Sequence, residues 1–270
     1  MKNLLTFSFF LLLSINSHAS LTLMPTRVEF DYKKDLDQMK NVRLSNSSDE
    51  RVAYKISFQH LKMEESGKLV EIKSSEKSDQ GKFSDNLIMF SPRRVILEPR
   101  SSQVIRLLLK KSPDLALGEY RSHLLVSQED LAANNEASNE KNKKISVSLR
   151  ALLAISIPVI VNSGEKNGKI GLGDVALKEN SLSVELLRSG NSTIYGDLLI
   201  NSTDGKEIGS VESMSIFYPQ QKREVLVKLK KKPAEGEKVE VVFYERKMVN
   251  ELYEADKSRA LIKKLVTLSQ

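Results

Sequence analysis

The chain has no cysteine and no tryptophan among its 270 residues. The first absence excludes a disulfide framework, a thiolate metal site and a cysteine nucleophile. The second, with the first, excludes the Cys–Trp–Cys hallmark of antibody-type domains. Aromatic residues make up only 6% of the chain, and none are interleaved with its basic runs. That leaves no stacking platform for single-stranded nucleic acid, and no aromatic cluster stands out for sugars. Histidine is scarce as well, with three in all. His18 falls in the N-terminal leader, and His60 and His123 lie in strand-like segments. Neither comes with metal-ligand spacing or a nucleophile pattern, so both read as satisfied surface or half-buried side chains. No Gly-x-Gly-x-x-Gly and no Gly-Lys-Ser is present to cradle phosphate. The expectation is a non-enzyme, with no catalytic residues, no metal and no cofactor.

What is present begins with an export signal. Lys2 is followed by a short apolar run, Leu4 to Ile15, and then by Ser17-His18-Ala19. This pattern predicts a signal peptide, residues 1–19, cleaved after Ala19. The run is too short to anchor in a bilayer, and no later segment is long and apolar enough, so no integral membrane span is expected. The formal charge is +7. Lys and Arg are spread among Asp and Glu, which reads as a solvated basic surface and predicts no nucleic-acid partner.

From residue 20 onward the sequence is a succession of short alternating segments broken by turn residues, the pattern of an all-β sandwich protein. Strands are expected over Leu21–Asp31, Lys40–Asn46, Val52–Leu61, Ile88–Phe90, Arg94–Leu97, Gln103–Lys110 and Gly118–Ser127. Residues 62–86 read as a polar loop with an excursion at Leu69–Ile72, and Glu129–Lys144 as a mobile polar loop. A second set covers Gly171–Leu177, Ser181–Arg188, Tyr195–Asn201, Glu207–Tyr218, Arg223–Lys230 and Val239–Glu245. The tail from Met248 supports helix and strand periods alike; a last strand with a frayed end is favoured. The stretch Asn162-Ser163-Gly164-Glu165-Lys166-Asn167-Gly168 reads as a linker. The expected domains are therefore 20–163 and 164–270.

Between the first set and the linker lies one strand that is too long. Ile145, Val147, Leu149, Ala151, Leu153, Ile155, Ile157, Val159 and Val161 share one parity. Such a run spans about 55 Å at about 3.3 Å per residue, against a usual strand of about 5–6 residues. It must bend between sheets or keep part of its length for something outside the chain. Four arginines sit within apolar strands: Arg27, Arg106, Arg121 and Arg150. A guanidinium on a strand beside a cleft presents a planar fork suited to a carboxylate.

Five stretches together carry a resemblance. "LMPTRVEF", "FSPRRVILEPRSSQVIRLLL", "LGEYRSHLLVS", "SIPVIVNSG" and "LLRSGNSTIYGDL" occur in the order and spacing of periplasmic pilus-assembly chaperones. The chain resembles this PapD-like family of the chaperone–usher pathway, and its divergent archaic branch in particular. The resemblance implies two immunoglobulin-like β-sandwich domains set as an L around a cleft, in the periplasm. It implies pilus or fimbrial subunits and an outer-membrane usher as partners. It also implies a use for the long strand, which would be lent to a subunit lacking its last strand, by β-augmentation. Ile145, Val147, Leu149, Ala151, Leu153 and Ile155 are then the donor residues. A free chaperone is expected to cap the same strand as a homodimer. The family anchors the subunit's C-terminal carboxylate with an arginine on the first strand and a lysine on the long one. Arg27 matches the arginine; the lysine position falls near Pro158, with no lysine between Ile145 and Val161. Arg121 and Arg106 are the candidate substitutes. Two other readings are weighed beside this one: a structural pilus component, and a secreted β-sandwich binding module.

Overall fold

The computed structural model describes residues 21–32, 38–73, 82–110, 114–129, 152–231, 233, 236–249 and 252–268. The leader, the polar loop after Glu129 and the donor residues Ile145, Val147, Leu149 and Ala151 lie outside them. Among the described residues the chain is β-strand and turn, with one turn of 3-10 helix at Asp85–Leu87.

Two sheets face each other in the N-terminal half. The first contains β1 (Leu21–Met24), β3 (Met39–Asn46), β9 (Ser102–Leu109) and β7 (Ile88–Ser91), in the order β1-β3-β9-β7. The second contains β2 (Val28–Asp31), β11 (Ala154–Ser163), β10 (Gly118–Glu129), β4 (Val52–Gln59) and β8 (Arg94–Leu97), in the order β2-β11-β10-β4-β8. This division into an outer four-stranded sheet and a sheet built on the last strands is that of an immunoglobulin-like sandwich. Alternation puts Val42, Leu44, Ile105 and Leu107 of one sheet against Phe30, Tyr54, Ile56, Leu124, Val126, Val159 and Val161 of the other. A short hairpin, β5 (Leu61–Met63) and β6 (Leu69–Glu71), leaves the end of β4 and stands apart from both sheets.

The expected first strand, Leu21–Asp31, is in fact two strands in different sheets. β1 pairs antiparallel with β3, whereas β2 pairs parallel with β11. Pro25 lacks a ladder donor, and Pro25-Thr26-Arg27 carries the chain from one sheet to the other.

The C-terminal half repeats the plan. β12 (Lys169–Lys178), β13 (Ser181–Ser189) and β16 (Lys222–Lys228) form one sheet. The other is β15-β14-β17-β18, from β14 (Ile194–Ser202), β15 (Glu207–Ile216), β17 (Lys238–Val249) and β18 (Leu252–Thr267). Its separate core includes Leu182, Val184, Leu186, Leu198, Ile200, Val241, Phe243 and Ile262. The tail is thus a strand, running to Thr267, because β17 offers it an edge along nearly its whole length.

Candidate functional site

β11 changes role along its length. From Ile157 to Val161 its inward residues are core: Ile157 is 4% exposed, and Val159 and Val161 are fully buried. Toward the N-terminus the same face emerges, with Ile155 half-buried and Leu153 43% exposed. Leu153 is still held in the sheet, since Gln128 N–H donates to its carbonyl at 2.8 Å. An apolar, core-facing residue has therefore run out of core. The backbone shows the same transition. On the side away from β10, β11 is covered by β2 only from Val159 to Asn162. Among the described residues no strand pairs with Ala154–Pro158 on that side, so the ladder edge is open there.

The open edge begins beside Arg27. The parallel register places Val28 against Val159, and Arg27 is the residue just before β2. Arg27 stacks on Tyr195 of β14, with its guanidinium carbon 3.7 Å from the ring centroid. Its Nη1 lies 3.5 Å from Glu29, whose other oxygen takes a 2.8 Å bond from Lys166. Arg27, Pro158, His123 and Ser156 of the N-terminal sandwich line a pocket of about 430 Å³. Tyr195, Ser213, Met214, Ser215, Phe217 and Arg246 of the C-terminal one close it, and Leu61 and Leu69 of the β5–β6 hairpin complete its lining. Arg246 is ion-paired with Asp197 at 2.6 Å.

A second pocket, of about 370 Å³, shares Leu61 and Phe217 with the first and contains Arg121. Arg121 is buried and committed to Glu119, donating to Oε1 through Nη2 at 2.7 Å and through Nε at 3.1 Å. The same Nη2 reaches Thr193 and Tyr195 in the C-terminal sandwich. Glu119 in turn accepts from the Thr193 N–H and hydroxyl. Burial alone would lower the Arg121 pKa; Tyr195 and Glu119 more than reverse this, so the group stays charged. Among the described residues its Nη1 has no hydrogen-bond partner. This buried pair ties the two halves together.

Both histidines differ from their expected surface or half-buried setting, being 7% and 4% exposed. His60 bridges Ser122 Oγ (3.3 Å, through Nδ1) and Asp85 (3.4 Å, through Nε2). Ser122 Oγ also accepts from the N–H groups of Ser84 and Asp85, and Ser122 is fully buried. The Ser–His–Asp row is therefore a structural clip with no reachable nucleophile. His123 is neutral: burial, and then the charges of Arg121, His60 and Arg27, push it down to about 3. Its Nδ1 is buried and has no hydrogen-bond partner among the described residues.

No protein-family model matches the chain, and no curated protein does. Solved structures do match. The YadV chaperone aligns with 93% of this chain and 100% of its own, at a TM-score of 0.50 and 13% identity. The fold is that of the YadV chaperone. The Pseudomonas aeruginosa CupB2 chaperone covers 92% of this chain and 100% of its own, at a TM-score of 0.48 and 13% identity. The CsuC–CsuE chaperone–tip subunit complex of Acinetobacter baumannii Csu pili covers 93% and 98%, at 0.46 and 13%.

Within this YadV-like fold the candidate arginines separate. Arg27 lies at the open edge, and Arg121 lies deeper, in the tie between the sandwiches. Arg106 is exposed on the outer sheet, opposite Asn41 and Ser91 in register, and lines neither pocket. Pro158 does line the pocket of Arg27, at the position where the resemblance leads one to look for a lysine. Sequence reasoning missed Tyr195, Phe217, Arg246 and the hairpin leucines. The first three lie in the other half of the chain, and no local pattern points from them to Arg27.

Proposed function

We propose that the protein is a periplasmic chaperone that captures pilus subunits lacking a strand and supplies that strand from β11 and the residues before it. The observation that carries this reading is the open, apolar edge of β11 that ends at Arg27. A guest strand on that edge would pair with the backbone of residues 154–158 and continue along 145–153. Ile145, Val147, Leu149, Ala151, Leu153 and Ile155 would fill its core, each buried aliphatic contributing about 1.5–3 kcal/mol. Delivery to an outer-membrane usher would follow, by replacement of this strand with another subunit's. Residues 20–163 and 164–270 would be the two domains, and a homodimer would cap the edge in the free protein.

The register of β2 on β11 supports one direction for the guest. β2 runs parallel to β11 and begins at Val28. A guest parallel to β11 would lie end to end with β2, its terminal carboxylate meeting Arg27 in a charge-assisted contact. An antiparallel guest would bring an ammonium group to the same arginine, like charge on like. Arg27 is therefore the anchor, with Arg121 serving the tie between the halves.

The test is co-purification from periplasm with a pilin-like protein ending in a free carboxylate. The wild type is expected to yield a one-to-one complex. Val147→Asp/Leu149→Asp should lose it while remaining folded. Arg27→Ala should weaken it about 10- to 100-fold, the loss of one charged hydrogen-bonding partner. No guest on the wild type would sink the reading; unchanged binding by Arg27→Ala would remove the anchor.

A further inference from the structure

The β5–β6 hairpin reaches from the N-terminal half onto β16 of the C-terminal sandwich. Its turn is closed by Glu64 N–H to the Lys68 carbonyl and by Gly67 N–H to the Glu64 carbonyl. The tip then crosses over. Glu224 N–H in β16 donates to the Glu65 carbonyl at 2.7 Å, a backbone bond between the two halves. Gly67, at φ +82°, lies flat against the Arg223 guanidinium: an added Cβ would stand 2.5 Å from Nε and Nη2. Arg223 is fixed in turn by donating to the Ser215 carbonyl. Glycine is favoured here for its left-handed backbone, and any larger residue would also have to displace the Arg223 guanidinium.

Behind the tip, the hairpin's two leucines face the pocket that holds Arg27. Leu61 and Leu69 line it together with Met214, Phe217 and Pro158, so a partly apolar chamber, edged by serines, adjoins the arginine. Its volume, about 430 Å³, exceeds what a small side chain fills.

We infer that the β5–β6 hairpin is a clip whose docking on β16 holds one wall of this chamber, and that the chamber selects a large apolar or aromatic residue as the last residue of the guest. The inference rests on the proposed capture of a C-terminal carboxylate by Arg27. Arg27 fixes the chain end, and the last side chain then has one place to go. A glycine there would leave apolar wall facing an unfilled cavity, whereas a phenylalanine covers it. Gly67 and Arg223 are positioning residues, acting through the hairpin rather than on the guest.

The probe is one alternating apolar peptide ending in Gly, Leu or Phe, each made as free acid and as amide. Full-length protein is titrated with all six. Wild type should bind the Phe acid at least about tenfold tighter than the Gly acid, the worth of a buried aromatic side chain at a partly open site. It should also prefer acid over amide. In Gly67→Val the Glu224 amide should lose its protection from hydrogen exchange. The Phe-to-Gly ratio should fall to within about twofold, with the acid-to-amide ratio unchanged. Leu69→Ala, a change at a half-open position, should lower the Phe-to-Gly ratio without disturbing the fold. Equal binding of Phe and Gly by the wild type would overturn the inference. So would a ratio that survives both variants, or an exchange rate at Glu224 that Gly67→Val leaves untouched. Equal binding of acid and amide by the wild type would instead sink the anchor at Arg27, and binding of no peptide would sink both.

Discussion

Two of the sheet edges, that of β18 and that of β11 at Ala154–Pro158, are finished differently. β18 ends its sheet with Lys257, Arg259, Lys263 and Lys264 exposed along it. Lysine on an edge discourages another chain from pairing, because adding a strand would bury or crowd its charge. Among the described residues, the open stretch Ala154–Pro158 of β11 carries no such guard. Leu152 and Leu153 are 53% and 43% exposed, and the described cations nearby, Arg27 and Arg246, lie in the pocket at the end of the opening rather than along it. On the proposed reading the two edges are different objects: one is kept apart from other chains, and the other is used.

The contrast can be broken from the β11 side first. Leu153→Lys gives this edge the guard that β18 has. Guest capture should fall about 100-fold or more, from lost apolar contact and a charge facing the guest's core. Thermal stability should stay within about 0.5 kcal/mol, as expected at an exposed site. A calorimetric titration and a melting curve read both.

A second test concerns His123, which sits opposite Pro158 in the row where the opening begins. Its folded pKa, about 3, lies below the ordinary value of 6.5. Between those values the unfolded chain binds the proton and the folded one does not, so stability falls as pH falls from about 6.5 and is unaffected above it. At pH 5 the loss from this group is about 2 kcal/mol. His123→Gln should flatten that part of the pH profile in urea melts; an unaltered slope would contradict the assignment.

The smallest effect is expected on the other edge. Lys263→Leu/Lys264→Val removes two of the guards from β18. Folding stability should change by less than about 0.5 kcal/mol, while concentration-dependent association, followed by light scattering, should rise. Absence of association would mean that Lys257 and Arg259 suffice.

Much of the fold is legible in the sequence because most strands keep one face in a core and one in water. Val52, Tyr54 and Ile56 against Lys55 and Ser57 is a pattern that period two reads directly. It fails where a second constraint cuts across the period. Over Leu21–Asp31 the buried residues change parity, from Leu21 and Leu23 before the break to Val28 and Phe30 after it, because Pro25-Thr26-Arg27 carries the chain from one sheet to the other. The hairpin Leu61–Glu71 looks like loop because its two exposed-side leucines serve the cleft and its turn is polar. In the tail, the register shifts between Tyr244 and Arg246 of β17 interrupt the ladder, and the parity of β18 blurs with them. For the site, Arg27 is legible from its neighbours along the chain. Tyr195, Phe217 and Arg246 are not, since what joins them to Arg27 is the packing of one sandwich on the other.

The parallel pairing of β2 with β11 has a consequence for what the site measures. The slot beside β11 is closed at one end by the chain's own backbone, at Val28. On the proposed reading a guest is registered from its last residue backward, as a rod is measured from a stop. A guest with even a few residues added after its natural end would meet that stop too early and be displaced by one ladder step or more. One step reverses which side chains face inward. The protein would then act as a gauge of finished ends, admitting chains that terminate at the right residue and refusing the same sequence when it runs on.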